Sequence, residues 1–111
     1  MLSISVLLVI IGSVLAAAGQ IFLKLGATGA NSLVDFMNSR IATGFVLYAI
    51  GSVLWIIALS RLPLSKVYPF TILTFVLVYV ASATLLGEPI TITVLLGAAL
   101  VIAGLMIITL A

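Results

Sequence analysis

Four stretches of this 111-residue chain, 2–23, 41–60, 67–86 and 89–110, each run for about 20 residues with no charged side chain among them. A helix of that length crosses the ~30 Å hydrocarbon core of a bilayer. Inside lipid the backbone must satisfy its own hydrogen bonds, which a helix does within a single segment. All six charged side chains fall in the connections between the runs. With 66% of the residues hydrophobic, a chain this short has no way to hide its apolar surface from water as a soluble domain. The chain reads as an all-α integral membrane protein, a single four-helix transmembrane domain over residues 1–111 with helices at about 2–24, 41–60, 67–86 and 89–110.

The first run carries Ala16-Ala17-Ala18, which looks like a leader cleavage site. A secretory leader has basic residues before a shorter apolar region, and this run is longer with none before it. It is read as a retained span. Between the first two spans, residues 25–40 are expected to include an interfacial turn with Leu33, Phe36 and Met37 on one side. Asp35 in the same segment is read as solvated.

Composition also narrows the chemistry. Without cysteine or histidine, disulfides, thiolate nucleophiles and serine–histidine–acid triads are out of reach, and zinc is disfavoured. No enzymatic activity, metal or cofactor is expected. Four basic and two acidic side chains form no field that would hold nucleic acid.

Lys/Arg placement sets orientation for most membrane chains. Here Arg61 and Lys66 lie on one side and Lys24 and Arg40 on the other, so the charges favour neither orientation. Insertion in both orientations with pairing into an antiparallel dimer is one reading, and a single orientation fixed by a partner chain or lipid is the other. In the fourth span Gly97 and Gly104 stand seven apart, with Ala98 and Ala103 nearby. That smooth face suits close helix packing, and an antiparallel homodimer packed through the fourth helix is the expected assembly.

In the first span Gly12, Ala16, Gln20 and Lys24 follow one another at i+4 on one helical face. An amide and an ammonium are costly in lipid unless they face protein or water, so this stripe is expected to face inward. Tyr68, Thr71, Phe75, Tyr79 and Ser82 form a stripe on the third helix, and Tyr48, Ser52 and Trp55 one on the second. Both read as walls of a polar-aromatic groove, although Tyr68 and Trp55 also suit an interfacial belt. Glu88 before Pro89 reads as a residue at the start of the fourth helix, where its charge suits the helix dipole.

These residues carry a resemblance. Gly19 and Lys24 closing the first helix, Leu62-Pro63 in the second loop, Tyr68-Pro69, Leu85-Leu86-Gly87-Glu88-Pro89 and the Gly97/Gly104 pair resemble the drug/metabolite transporter superfamily over nearly the whole chain. The size is similar to the small multidrug resistance proteins, antiparallel dimers that exchange protons for cationic drugs at a glutamate in the first helix. Matching through Gly19 and Lys24 puts that glutamate's position at Ala16, and their third-helix tryptophan at Thr71. Leu73 and Phe75 stand where their third helix has kinking glycines. Ala18-Gly19-Gln20 with Lys24, Tyr68-Pro69 and Glu88-Pro89 look more like the small flippase subunits that carry aminoarabinose linked to undecaprenyl phosphate.

The resemblance implies a flippase for a polyprenyl-phosphate-linked sugar in the bacterial inner (cytoplasmic) membrane. It would work as a homodimer, or as a heterodimer with a paralogue, in contact with membrane lipids and with no nucleic-acid partner. Alternatives are a small multidrug exporter of cationic compounds with altered coupling, and an accessory subunit of another transporter. A lipid-phosphate substrate needs a cation and sugar-binding groups. The candidates are Lys24 for phosphate, which alternatively snorkels to the headgroups, and Gln20 for sugar or phosphate, which alternatively bonds between helices. Arg61 and Lys66 are further cations, Tyr48, Ser52, Tyr68, Thr71 and Tyr79 line the groove, and Glu88 would meet an aminosugar's ammonium.

Overall fold

The computed structural model describes residues 3–110. Four helices in it are long and apolar enough to cross a membrane: α1 (Ile4–Ala27), α2 (Ser39–Leu59), α3 (Leu64–Thr84) and α4 (Ile92–Leu110). Their boundaries follow local chemistry. Ser3 caps α1 by accepting a hydrogen bond from the Val6 N–H. The helix stops where Thr28 turns extended and Gly29 takes φ +81°, a conformation that favours glycine.

Asn38 fastens the first connection to the start of α2. Its side-chain oxygen accepts from the Ile41 N–H at 3.0 Å, while its amide nitrogen donates to the carbonyls of Gly26 (3.0 Å) and Asp35 (2.9 Å). The side chain thus caps one helix and ties it to the end of the previous one. Between them, Val34–Phe36 forms a 3-10 turn with Leu33 and Met37 largely exposed. Asp35 is exposed too, and its carboxylate accepts from the Asn31 N–H at 2.9 Å.

Three boundaries differ from the sequence reading. Asn38 starts α2 at Ser39 rather than 41. The third helix begins at Leu64, directly after Pro63 in extended conformation, rather than at 67. It then passes through a 3-10 turn at Tyr68–Phe70, because Pro69 has no N–H to give an α-helical bond. The fourth helix begins at Ile92 rather than 89, with the Thr91 hydroxyl accepting from the Val94 N–H. The placement of Glu88 at a helix start is therefore corrected. Gly87 at φ +65° ends the preceding turn, and the Glu88 N–H reaches back to the Ser82 carbonyl. Glu88, restricted by the proline after it, lies in the connection.

The packing is uneven. Most of it joins α1 to α2, with a smaller interface between α1 and α3. The α1–α2 interface is a glycine seam between antiparallel helices. A methyl on Gly19 would stand 2.9 Å from the Gly44 carbonyl oxygen, and one on Gly44 would stand 2.8 Å from the Gly19 oxygen. Gly12 and Gly51 face each other in the same way, and Gly26 lies against Asn38 and Ile41. Only glycine leaves room for backbones this close. Val9, Ala58 and Val67 form a small core beyond the seam, packed with Leu8, Trp55, Leu62 and Phe70.

Helix α4 stands apart. It buries no residue, and it meets the rest mainly at the Tyr68–Phe70 turn. Met106, Thr109 and Leu110 border an apolar cleft with Pro69, Phe70, Leu73 and Val76. Among the described residues, a methyl on Gly97 or Gly104 would meet nothing within 4 Å.

Candidate functional site

A groove of about 610 Å³ has its floor on α1 and its walls on α2 and α3. Gly12, Ala16 and Gln20 form the floor, so three members of the expected inward stripe lie together. Tyr48, Ser52 and Trp55 supply one wall, and Tyr68, Thr71, Phe75 and Tyr79 the other. Phe75 and Tyr79 stack in a tilted pair with ring centroids 4.8 Å apart.

The groove holds its shape through α1. Trp55 lies over Gly12, where an added methyl would approach its ring to 2.6 Å, and its indole N–H points to the Ser13 hydroxyl at 3.4 Å. From the other wall, the Thr74 hydroxyl donates to the Ser13 carbonyl at 2.8 Å. Ser13 is fully buried and thus anchors both walls. The tie fixes Trp55 as a wall residue within the subunit. Substantial packing between α2 and α3 is confined to the loop end, where α2 meets Leu64–Val67. Along the rest of their length the two walls are separated by the groove.

Gln20 is exposed on the groove side, and its amide takes no hydrogen-bond partner among the described residues. Tyr68, 57% exposed, stands at the opposite end. Ser82 does not reach the groove, since its hydroxyl donates to the Val78 carbonyl one turn back.

The charged candidates lie outside the groove lining. Arg61 in the second connection and Lys66 in the first turn of α3 are exposed, each two residues from a lining residue, Leu59 and Tyr68 respectively. Lys24 stands one turn beyond Gln20 on α1, and its ammonium lies 3.8 Å from the Glu88 carboxylate. It is the one ion pair among the described residues.

Several contributors went unread in the sequence. Thr74 and Val78 extend the α3 wall, Ile56 and Leu59 the α2 wall, and Gly51 opens the floor beside Gly12. A signal for the glycines was there: Gly12, Gly19 and Gly26 recur every seven residues, as do Gly44 and Gly51. Thr74 falls one turn after Thr71 on the same face, which would have nominated it.

A lining this mixed can hold a polar group and a ring while its open side admits a hydrocarbon chain. No carboxylate is among the lining residues, so the groove itself brings no negative charge to a ligand.

No family model matches the chain, and no solved structure matches it. Curated sequences do. The chain is 34% identical over 117 residues, 92% of each chain, to a protein of Erwinia tasmaniensis named "Probable 4-amino-4-deoxy-L-arabinose-phosphoundecaprenol flippase subunit ArnF". It is 34% identical over 103 residues to a protein of Sodalis glossinidius named "Probable 4-amino-4-deoxy-L-arabinose-phosphoundecaprenol flippase subunit ArnE", covering 90% of this chain and 92% of the relative. With a protein of Serratia proteamaculans of the same name it shares 32% over 105 residues, 91% of each chain. These relatives are named for moving a lipid-linked sugar, not for a covalent reaction. At this identity over nearly the whole length of both chains, the four-span protein is a multi-pass membrane protein that belongs to the family of 4-amino-4-deoxy-L-arabinose-phosphoundecaprenol flippase subunits.

Proposed function

We propose that this chain translocates an undecaprenyl-phosphate-linked sugar of the aminoarabinose type across the bacterial inner membrane, as one subunit of a dimer. The observation that carries the reading is the groove: amide, hydroxyl and aromatic groups from three helices, free of carboxylates, between walls that do not close on each other. Hydroxyls and the Gln20 amide suit a sugar, tyrosine and tryptophan rings suit its apolar face, and the gap between α2 and α3 lets a prenyl chain remain in lipid.

Cations complete the proposed site. Lys24 at one end would meet the phosphate as a point charge, with Arg61 and Lys66 serving the membrane face at the other. Pairing through the open α4 face, with a second copy or a paralogous chain, would enclose the groove. The subunit names of the relatives support a partner chain.

The test is reconstitution in liposomes, alone and with a candidate partner subunit, using a prenyl-phosphate-linked aminopentose as substrate. A membrane-impermeant amine reagent reads its arrival in the outer leaflet. Wild-type protein should raise labelling above that of empty liposomes, and Lys24→Met should weaken lipid-phosphate binding. Transport of quaternary ammonium compounds, unharmed or improved by Lys24→Met, would instead identify an exporter of cations.

A further inference from the structure

We infer that the Lys24–Glu88 ion pair is a charge-exchange site that selects lipid phosphates whose headgroup also carries an amine. This rests on the proposed reading of the groove as a lipid-phosphate site and adds a specificity that neither residue supplies alone. At 3.8 Å the ammonium and carboxylate are within ion-pair range but beyond a hydrogen bond, which ends near about 3.2 Å. Their side chains are 54% and 44% exposed. Such a pair is weak and readily parted.

A phosphate oxygen offers Lys24 a shorter, charge-assisted bond than Glu88 does. Taking it releases Glu88, and the fate of that carboxylate depends on the rest of the ligand. With a neutral headgroup, Glu88 loses its partner and stands near a second anion, which opposes binding. With an amine on the headgroup, the ammonium takes the carboxylate as the phosphate takes Lys24, and both charges stay paired. Position supports the exchange. Lys24 continues the face of Ala16 and Gln20 that floors the groove, while Glu88 follows the wall helix α3 through Gly87. The pair thus joins the floor helix to the connection that follows the wall helix.

The experiment compares two probes in dodecyl maltoside micelles, a prenyl-phosphate-linked aminopentose and the same lipid with a hydroxyl in place of the amine. Wild-type protein should bind the amine form about tenfold or more tightly. Glu88→Gln should bring the two affinities together, chiefly by losing the amine form's advantage. Lys24→Met should weaken both. The double variant Lys24→Glu with Glu88→Lys preserves a pair and should recover part of the preference. Circular dichroism on each variant verifies that the helices remain.

Equal binding of both probes by wild type, or an undiminished preference in Glu88→Gln, overturns the exchange while leaving the lipid-phosphate reading standing. Binding of neither probe overturns both. Displacement by excess phosphatidylethanolamine supports the exchange and assigns the ligand to bulk lipid, whereas resistance to it assigns the ligand to the prenyl-linked sugar.

Discussion

Gly12 and Gly51 face each other so closely that a methyl on Gly12 would lie 2.9 Å from the Gly51 carbonyl oxygen, and one on Gly51 would lie 2.8 Å from the Gly12 oxygen. Both carbonyls are backbone, which moves only if the helix moves, and a methyl on Gly12 would also meet the Trp55 ring at 2.6 Å. Gly12→Ala and Gly51→Ala should each cost about 1–3 kcal/mol by pushing α1 and α2 apart. Gly97→Ala, where a methyl meets nothing within 4 Å, should leave subunit stability within about 0.5 kcal/mol. Unfolding in mixed micelles, followed by circular dichroism, checks the contrast. Equal losses at all three positions would mean that the seam does not hold α1 to α2.

Trp55 is the only tryptophan in the chain, and it lies in the groove wall with its N–H toward Ser13. Intrinsic emission excited at the indole therefore reports on the site. Titrating a prenyl-phosphate-linked sugar should shift or quench it saturably, and Gln20→Leu should weaken the response several-fold by removing the amide on the floor, about the effect of one neutral hydrogen bond. An emission spectrum unmoved at saturating lipid would place the ligand elsewhere.

The four spans were legible in the sequence because lipid leaves the backbone few choices, and so was most of the groove. Gln20, Tyr48, Ser52, Tyr68, Thr71 and Tyr79 all line it, since polar side chains at helical spacing inside a span share a face and avoid hydrocarbon. Two features were hidden. The seam required knowing which helices pair, because the seven-residue spacing of Gly12, Gly19 and Gly26 names no partner until the backbones are opposed. The Lys24–Glu88 contact joins side chains far apart in sequence. Glu88 was misread because Glu-Pro is a common helix opening, whereas here Thr91 takes the capping role three residues later.

Ala16 lies on the groove floor between Gly12 and Gln20, so Ala16→Glu would bring a carboxylate into a lining that has none. An anionic headgroup should then be repelled, lowering translocation of the prenyl-phosphate sugar by about tenfold or more, while binding of a lipophilic cation such as tetraphenylphosphonium should rise. Ala16→Gln, similar in size and neutral, separates charge from bulk. If the two variants impair translocation equally, the groove is limited by space rather than by charge.

Helix α4 presents Gly97 and Gly104 with nothing among the described residues within 4 Å of an added methyl, and its exposed Leu96, Leu100 and Ile107 are at home in lipid and by themselves demand no partner. Helix association in a bilayer depends on close approach and good packing rather than on escape from water, so the informative variants are those that roughen the smooth face without changing its polarity. Gly97→Leu and Gly104→Leu should leave α1–α3 folded and the Trp55 emission unchanged, because neither position contacts the groove. If α4 joins two chains, both variants should reduce cross-linked dimer in native membranes several-fold and lower translocation in step. Dimer that persists with leucine at both positions would put the partner on another face, the gap between α2 and α3 being the next to probe.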